Sequence, residues 1–372
     1  MQIKRIDLYK YSVNIPTVHF QNNIAASEKQ RFFVVIKIST DRDYAGYSMA
    51  GHFVHQNYHS IIEGISRVAD FILGKDPWEK QLIWDYLRVM ERRGILSIQA
   101  FGAIDVALWD LCGKIVDQPI VNLLGRVRDT IPVYASCQKH GTIEEYLQEI
   151  KSLQKRGIKI YKLHPIGNLR QDIKLAESIY NEYKGQIQYI FDGTFNYSLS
   201  EAIFLGKKLD KFGFLWLEDP LKELKIEAYK HLHKKIITPL ALGDLSPEFN
   251  SQSIAAYLIS ACCDIIKPDI AYKGGITGSK LMADITSGFG LNCDIHHAGN
   301  PLLNVATLHL ACSLNNVNSY EWIIPDELHN YGIIDYPEPD TSGTIKCPSG
   351  AGLGVHLDFE VLSKNLIKSI NL

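Results

Sequence analysis

Three carboxylates carry the first chemical signal in this chain. Asp192, Glu218 and Asp244 each close a short apolar run, in Ile190-Phe191-Asp192, Trp216-Leu217-Glu218 and Leu242-Gly243-Asp244, with 26 residues from each to the next. Brought to one place, three like charges would raise one another's pKa and destabilise the fold around them. A hard divalent cation removes that difficulty. Mg²⁺ takes oxygen ligands in octahedral geometry and keeps positions for water and an anionic substrate, so one Mg²⁺ per site on these three residues is expected. The plainer reading makes each carboxylate a helix cap or a lysine partner. It accounts for any one of them but not for their regular spacing.

Proton-transfer groups flank the triad in sequence. Lys162 and His164 are two apart, so on a strand they project from the same face. Asp269 and His296 end later apolar segments, and an aspartate beside a histidine fixes the imidazole tautomer and favours its protonated form. A metal between opposed bases suits abstraction of the weakly acidic proton α to a carboxylate, whose enediolate product needs charge stabilisation. In that scheme Lys162 adds positive charge near the substrate carboxylate and lowers the His164 pKa. Glu321, at the end of a further run, shares a proton with a carboxylate oxygen if it is itself held protonated.

These residues need a scaffold that places them on one face. From Ile131 onward short apolar runs alternate with amphipathic helical patterns, as in repeated βα units over a parallel sheet. Eight runs end near Tyr134, Lys162, Asp192, Glu218, Asp244, Asp269, His296 and Glu321, at intervals of 25 to 30 residues. That regularity predicts an α/β fold with a barrel of the (β/α)₈ type, whose strand C-termini open on the face where such barrels build active sites. Before it, Ile3 to Ser12 and Arg31 to Ser39 alternate in period two as strands, joined by a polar segment at Thr17 to Glu28. Tyr58 to Leu73, Pro77 to Met90 and Ser97 to Lys114 have helical spacing. Together they predict a small α+β unit ending near Gly125 to Thr130.

Composition removes other classes. The 372 residues are 46% hydrophobic and 22% charged, with 39 Lys plus Arg against 41 Asp plus Glu and a net charge of −2. Such a chain can bury a large core and has no basic excess for a nucleic-acid backbone. No apolar run approaches the roughly 20 residues of a membrane span. The first residues lack the pattern of a secretory signal, and seven cysteines without a CxxC pair argue against a disulfide framework. A reducing cytoplasm is the expected compartment. Gly350-Ala351-Gly352-Leu353-Gly354 lacks a following helix and reads as a loop, Gly274-Gly275 as a strand-to-helix turn, and the aromatic stretch Trp78 to Tyr86 as cap core or a subunit contact.

At these residues the chain resembles the enolase superfamily, in its mandelate racemase and muconate-lactonizing branch, over nearly its whole length. The resemblance is carried by Ile98-Gln99-Ala100-Phe101-Gly102-Ala103-Ile104-Asp105-Val106-Ala107-Leu108-Trp109-Asp110-Leu111-Cys112-Gly113-Lys114, Pro119, Leu123-Leu124-Gly125 and Pro132-Val133-Tyr134. Trp216-Leu217-Glu218-Asp219-Pro220 and Lys273-Gly274-Gly275-Ile276-Thr277 extend it. It implies an α+β capping domain at 1–128, a (β/α)₇β TIM-like barrel at 129–324 and a C-terminal segment at 325–372 that returns to the cap. Asp269, five residues before Gly274, resembles with His296 the dyad of the racemase-like subgroup, most of whose members dehydrate acid sugars. His297 is the alternative if the register slips by one. The resemblance therefore implies an acid-sugar dehydratase of the lyase class yielding a 2-keto-3-deoxy acid, and a homo-oligomer. A racemase or epimerase, or a lactone cycloisomerase, could use the same residues, and a non-catalytic sugar-acid binder is the alternative of another class. The chain departs from the pattern in Lys162-Leu163-His164, where mandelate racemase has Lys-x-Lys, in Asp244, where Glu is commoner, and in Gly125-Arg126. Specificity in the family comes largely from cap loops, here 18–24 and 51–58, with His19, His52 and His55 as candidate polyol contacts.

Overall fold

The structure, a computed structural model, describes residues 1–16, 30–52, 58–246 and 248–372. Its N-terminal sheet is antiparallel, built from β1 (Ile3–Asn14), β2 (Gln30–Thr40) and β3 (Ala45–Ala50). Alternation along β2 supplies two apolar faces at once. Val34, Ile36 and Ile38 face the helices α1 (Tyr58–Ile72), α2 (Lys80–Arg92) and α3 (Ile98–Ile115), while Phe33 and Val35 join the core shared with the rest of the chain. The second helix starts at Lys80 rather than at Pro77 as its spacing suggested. Asp76 accepts the Trp78 N–H on its side chain and the Glu79 N–H on its carbonyl, which makes Pro77 to Glu79 a turn.

After α4 (Ile120–Leu124) come the βα units: β4 (Thr130–Ser136), α5 (Ile143–Lys155), β5 (Ile160–Leu163), α6 (Leu169–Tyr183), β6 (Gln188–Asp192), α7 (Leu199–Phe212), β7 (Leu217–Glu218), α8 (Ile226–His233), β8 (Leu240–Leu242), α9 (Ile254–Ile259), β9 (Ile265–Ile266), α10 (Gly275–Gly288), β10 (Asn292–Cys293), α11 (Pro301–Cys312) and β11 (Tyr320–Ile323). Several helices begin where the sequence stores a cap. Thr142 with Glu145 and Ser198 with Glu201 form capping boxes, and Asn300 caps α11 ahead of Pro301. The strands pair in parallel in the order β10-β9-β8-β7-β6-β5-β4-β11, a curled sheet whose ladder is interrupted only between β10 and β11. The expected (β/α)-barrel fold with an α+β cap is therefore present. The chain then runs through β12 (Thr344–Lys346), which pairs with β4, and α12 (Phe359–Lys364) to β13 (Leu366–Asn371), which pairs with β1. All seven cysteines are buried and unpaired. No helix among the described residues is long and apolar enough to cross a membrane.

The cap is clasped to the barrel by buried polar contacts around the turn that leads into α10. Asp105 of α3 accepts from the Thr277 N–H at 3.0 Å and its hydroxyl at 2.6 Å, the Trp109 indole donates to that hydroxyl at 2.9 Å, and the Trp84 indole donates to the Gly274 carbonyl at 2.7 Å. Gly275 has φ +79°, and a Cβ there would lie 2.3 Å from an Asp105 carboxylate oxygen. The Gly-Gly pair thus shapes a turn, as expected, and lets the cap approach it. The Trp78 to Tyr86 stretch divides: Trp84 is buried in the cap, whereas Trp78 is about half exposed at 48%.

Candidate active site

The site is built upward from the inside of the barrel. Tyr134, Ile190, Trp216, Ala241 and Ile265 form an apolar floor, with Ile160 packed against it. Side chains two residues further along a strand point the same way, so Lys162, Glu218, Lys267 and Glu321 form the next layer on alternate strands. Barrel layers of four from alternate strands ordinarily hold branched aliphatic residues. Here the four alternate in charge and close a ring: Lys162 to Glu218 at 3.1 Å, Glu218 to Lys267 at 3.2 Å, Lys267 to Glu321 at 3.4 Å and Glu321 to Lys162 at 2.6 Å. All four are at most 1% exposed.

Asp192 and Asp244 lie beside this ring, and Asp192, Glu218 and Asp244 each offer an oxygen within 4.8 Å of the others. Three buried carboxylates offering only hard oxygen donors fit a small divalent cation. Each aspartate also meets an imidazole, His164 Nε2 being 3.3 Å from Asp192 Oδ2 and His296 Nε2 3.6 Å from Asp244 Oδ2. Burial works against ionised Asp192, yet Lys162 and His164 hold its carboxyl well below the usual range. Burial raises Glu218, an effect that the two lysines oppose. His296 Nδ1 is 2.6 Å from Asp269 Oδ2. Burial disfavours its charged form, but Glu321, the Asp269 hydrogen bond and Asp244 push its pKa up to about 9.

The structure thus brings together Lys162, His164, Asp192, Glu218, Asp244, Asp269, His296 and Glu321. Two electrostatic expectations are corrected. Glu321 is not held protonated: burial would raise it, but Lys162, Lys267 and His296 keep its carboxyl well below the usual range. The His164 pKa is raised rather than lowered. Burial does pull it down, yet its hydrogen bonds to Asp192 and Cys137 push its pKa up to about 10. The register question also resolves. His297 turns to α11, with Nε2 2.7 Å from Asn304 Nδ2 and Nδ1 accepting from the Gly299 N–H, so it is His296 that meets Asp269. His52 is buried, its ring packed so closely over Gly299 that a Cβ there would lie 2.0 Å from it. Asn300 donates to the Met49 and Gly51 carbonyls at 3.0 and 2.9 Å, tying the end of β3 to the segment that follows His296. His19 and His55 lie outside the described residues.

Some residues of the site had no assigned part in the sequence reading. Lys267 stands in the segment Ile266-Lys267-Pro268-Asp269, and its place two residues before Asp269, on the same face, was the available signal. Asp219 accepts the N–H groups of Gly243 and Asp244 at 3.1 to 3.4 Å and so orients the Asp244 loop. Cys137 accepts the His164 N–H at 3.4 Å, and its sulfur lies 3.9 Å from His164 Nδ1.

Comparison with known proteins agrees with this fold. Residues 5–125 match the model of the mandelate racemase/muconate lactonizing enzyme N-terminal domain, and residues 145–361 match that of the enolase C-terminal domain-like family. A D-galactonate dehydratase family member from Enterococcus gallinarum is 24% identical over 358 residues, covering 88% of each chain. A D-galactarolactone cycloisomerase from Agrobacterium fabrum is 25% identical over 352 residues, covering 90% of this chain and 91% of its own. The crystal structure of D-glucarate dehydratase from Agrobacterium tumefaciens superposes with a TM-score of 0.86 at 24% identity, covering 99% of both chains.

Proposed function

Because this chain belongs to the mandelate racemase/muconate lactonizing enzyme family of the enolase superfamily, we propose that it is a Mg²⁺-dependent acid-sugar dehydratase. The substrate is a small sugar acid, the C2 proton and the 3-hydroxyl leave as water, and the product is a 2-keto-3-deoxy acid. The observation that carries this reading is the 2.6 Å Asp269–His296 pair set against the carboxylate triad. Relatives named as dehydratases support the reaction class.

Asp192, Glu218 and Asp244 would hold the cation. When bound, it supplies positive charge against the negative charge that builds on the substrate carboxylate as the α-proton departs. His296, its tautomer fixed by Asp269, takes the C2 proton or gives one to the departing 3-hydroxyl, and His164 is the opposing group. Lys162, in contact with Asp192, Glu218 and Glu321, lends positive charge near the substrate carboxylate. His52, at the end of β3, is a candidate contact for the sugar hydroxyls from the cap side.

A racemase or epimerase is the second reading. It is favoured by one feature, the two imidazoles standing on different metal-ligand candidates, Asp192 and Asp244, as exchange of a proton on opposite faces requires. The test is a screen of mono- and diacid sugars with Mg²⁺ for 2-keto product, with solvent-exchange NMR in D₂O and a His296→Asn control. Keto product lost in the control establishes dehydration. Deuterium at C2 with no keto product moves the assignment to an isomerase, and silence in both assays overturns acid-sugar chemistry.

A further inference from the structure

Of the four charged residues that close the ring, Lys267 is one to which the chemistry proposed above gives no part. Its Nζ is surrounded by four oxygens: Tyr134 Oη at 2.8 Å, Asp294 Oδ1 at 2.9 Å, Glu218 Oε1 at 3.2 Å and Glu321 Oε2 at 3.4 Å. The side chain is 0% exposed. A buried ammonium in such a setting has no water to turn to and stays where its acceptors hold it.

The two lysines of the ring differ in their supports. Lys162 touches Asp192, Glu218 and Glu321, so two of its three partners belong to the triad. Lys267 touches one triad member, Glu218, and is braced by Tyr134 and Asp294, which belong to no ligand set. Tyr134 itself donates to Asp294 at 2.7 Å, and the Ser319 hydroxyl donates to that carboxylate at 3.3 Å. The other Glu218 oxygen, Oε2, accepts from the Trp216 indole at 3.0 Å. Glu218 is therefore gripped on both oxygens, and the grip on Oε1 is anchored in the barrel wall through Lys267.

We propose that Lys267 is a positioning residue for the metal centre, fixing the Glu218 carboxylate in its place among Asp192 and Asp244. The proposal rests on the reading of the triad as a metal site. Partners that orient a ligand typically change metal affinity by about 10–100-fold when removed. The sign of the change separates positioning from simple charge. Deleting a cation beside a carboxylate cluster would, by Coulomb attraction alone, tighten the binding of a divalent ion. Loss of positioning weakens it.

The probe is Mn²⁺, titrated calorimetrically and by its electron paramagnetic resonance signal in the substrate-free protein. K267M is expected to bind Mn²⁺ about 10–100-fold more weakly than the wild type, and K267R, which keeps the cation, is expected to recover most of the loss. If K267M does not fold, the double variant K267M/E321Q removes one charge of each sign from the ring and is expected to show the same weakening. Unchanged or tighter Mn²⁺ binding in whichever of these variants folds overturns the proposal while leaving the metal-site reading intact. A wild type that binds no Mn²⁺ overturns both. A K267R variant as weak as K267M in a folded protein overturns the positioning role as well, since any change at the position would then act alike.

Discussion

Replacing Asp105 with Asn tests the account of how cap and barrel are held together. Asp105 is 1% exposed. Burial pushes its pKa up to about 7, against the opposing pull of the Thr277 hydrogen bonds and Lys80. An ordinary aspartate in the unfolded chain titrates near 3.8. Below that pH both states hold the proton and the group is neutral in the fold. Between about 4 and 7 the unfolded chain releases the proton while the folded one retains it, so stability falls as pH rises, and above 7 the loss is complete. The interval of about 3 pKa units at about 1.36 kcal/mol per unit amounts to roughly 4 kcal/mol. Asn does not titrate, and it retains an acceptor for the Thr277 N–H while offering a donor to the Thr277 hydroxyl. Urea unfolding of D105N and wild type, followed by tryptophan fluorescence at matched metal concentration from pH 4 to 8, measures the difference directly. D105N should gain on the wild type by up to about 4 kcal/mol between pH 4 and pH 7.5. A difference that does not change with pH would refute the reasoning, because Asp105 would then titrate alike in both states.

Two further outcomes follow from the same kind of argument. Gly275→Ala must adopt φ near +79° and meet Asp105 with its Cβ; backbone strain alone should lower the unfolding free energy by about 1–3 kcal/mol, read as a fall in the urea midpoint, with an unchanged midpoint as the contrary result. His309 is buried, with Nδ1 accepting from the Val121 N–H and Nε2 against the Leu353 carbonyl, and burial pulls its pKa down to about 4 from 6.5. Only the unfolded chain takes up its proton between those values, so as pH falls from 6.5 to 4 it should remove roughly 3 kcal/mol of stability. His309→Gln should flatten that part of the pH dependence, and an unaltered slope would count against it.

Much of the fold was legible because its signals are local. The βα units declared themselves through apolar runs at intervals of 25 to 30 residues. Strands β3 and β13 escaped. Ala45-Gly46-Tyr47-Ser48-Met49-Ala50 has no β-branched residue, and β13 is mostly exposed, so neither carries a clear apolar alternation. Their pairing with β2 and β1 is a long-range choice that no window of sequence contains. In the site, residue types at strand ends pointed to residues that the fold brings together, but protonation did not follow from type. Glu321 and His164 take their charge state from Lys162, Lys267, Asp192 and Cys137, neighbours that only the closed sheet assembles. Lys267 was overlooked for a related reason: its place two residues before Asp269 marks its face but not the four oxygens, from Tyr134, Glu218, Asp294 and Glu321, that the closed sheet brings to it.

The pairing of β13 with β1, Asp7 opposite Asn371 and Tyr9 opposite Ser369, has a consequence for synthesis on the ribosome. Translation makes β1 before the βα units and β13 after them. Until then one edge of the nascent cap sheet presents unpaired N–H and C=O groups, the kind of edge that recruits strands from other molecules. Pairing of that side of β1 comes only after the βα units have been made. A ribosome stalled before Leu366 would therefore carry a chain with its barrel strands present and β1 still unpaired on that side, and the six residues from Leu366 to Asn371 then cover β1 and become the edge strand in its place.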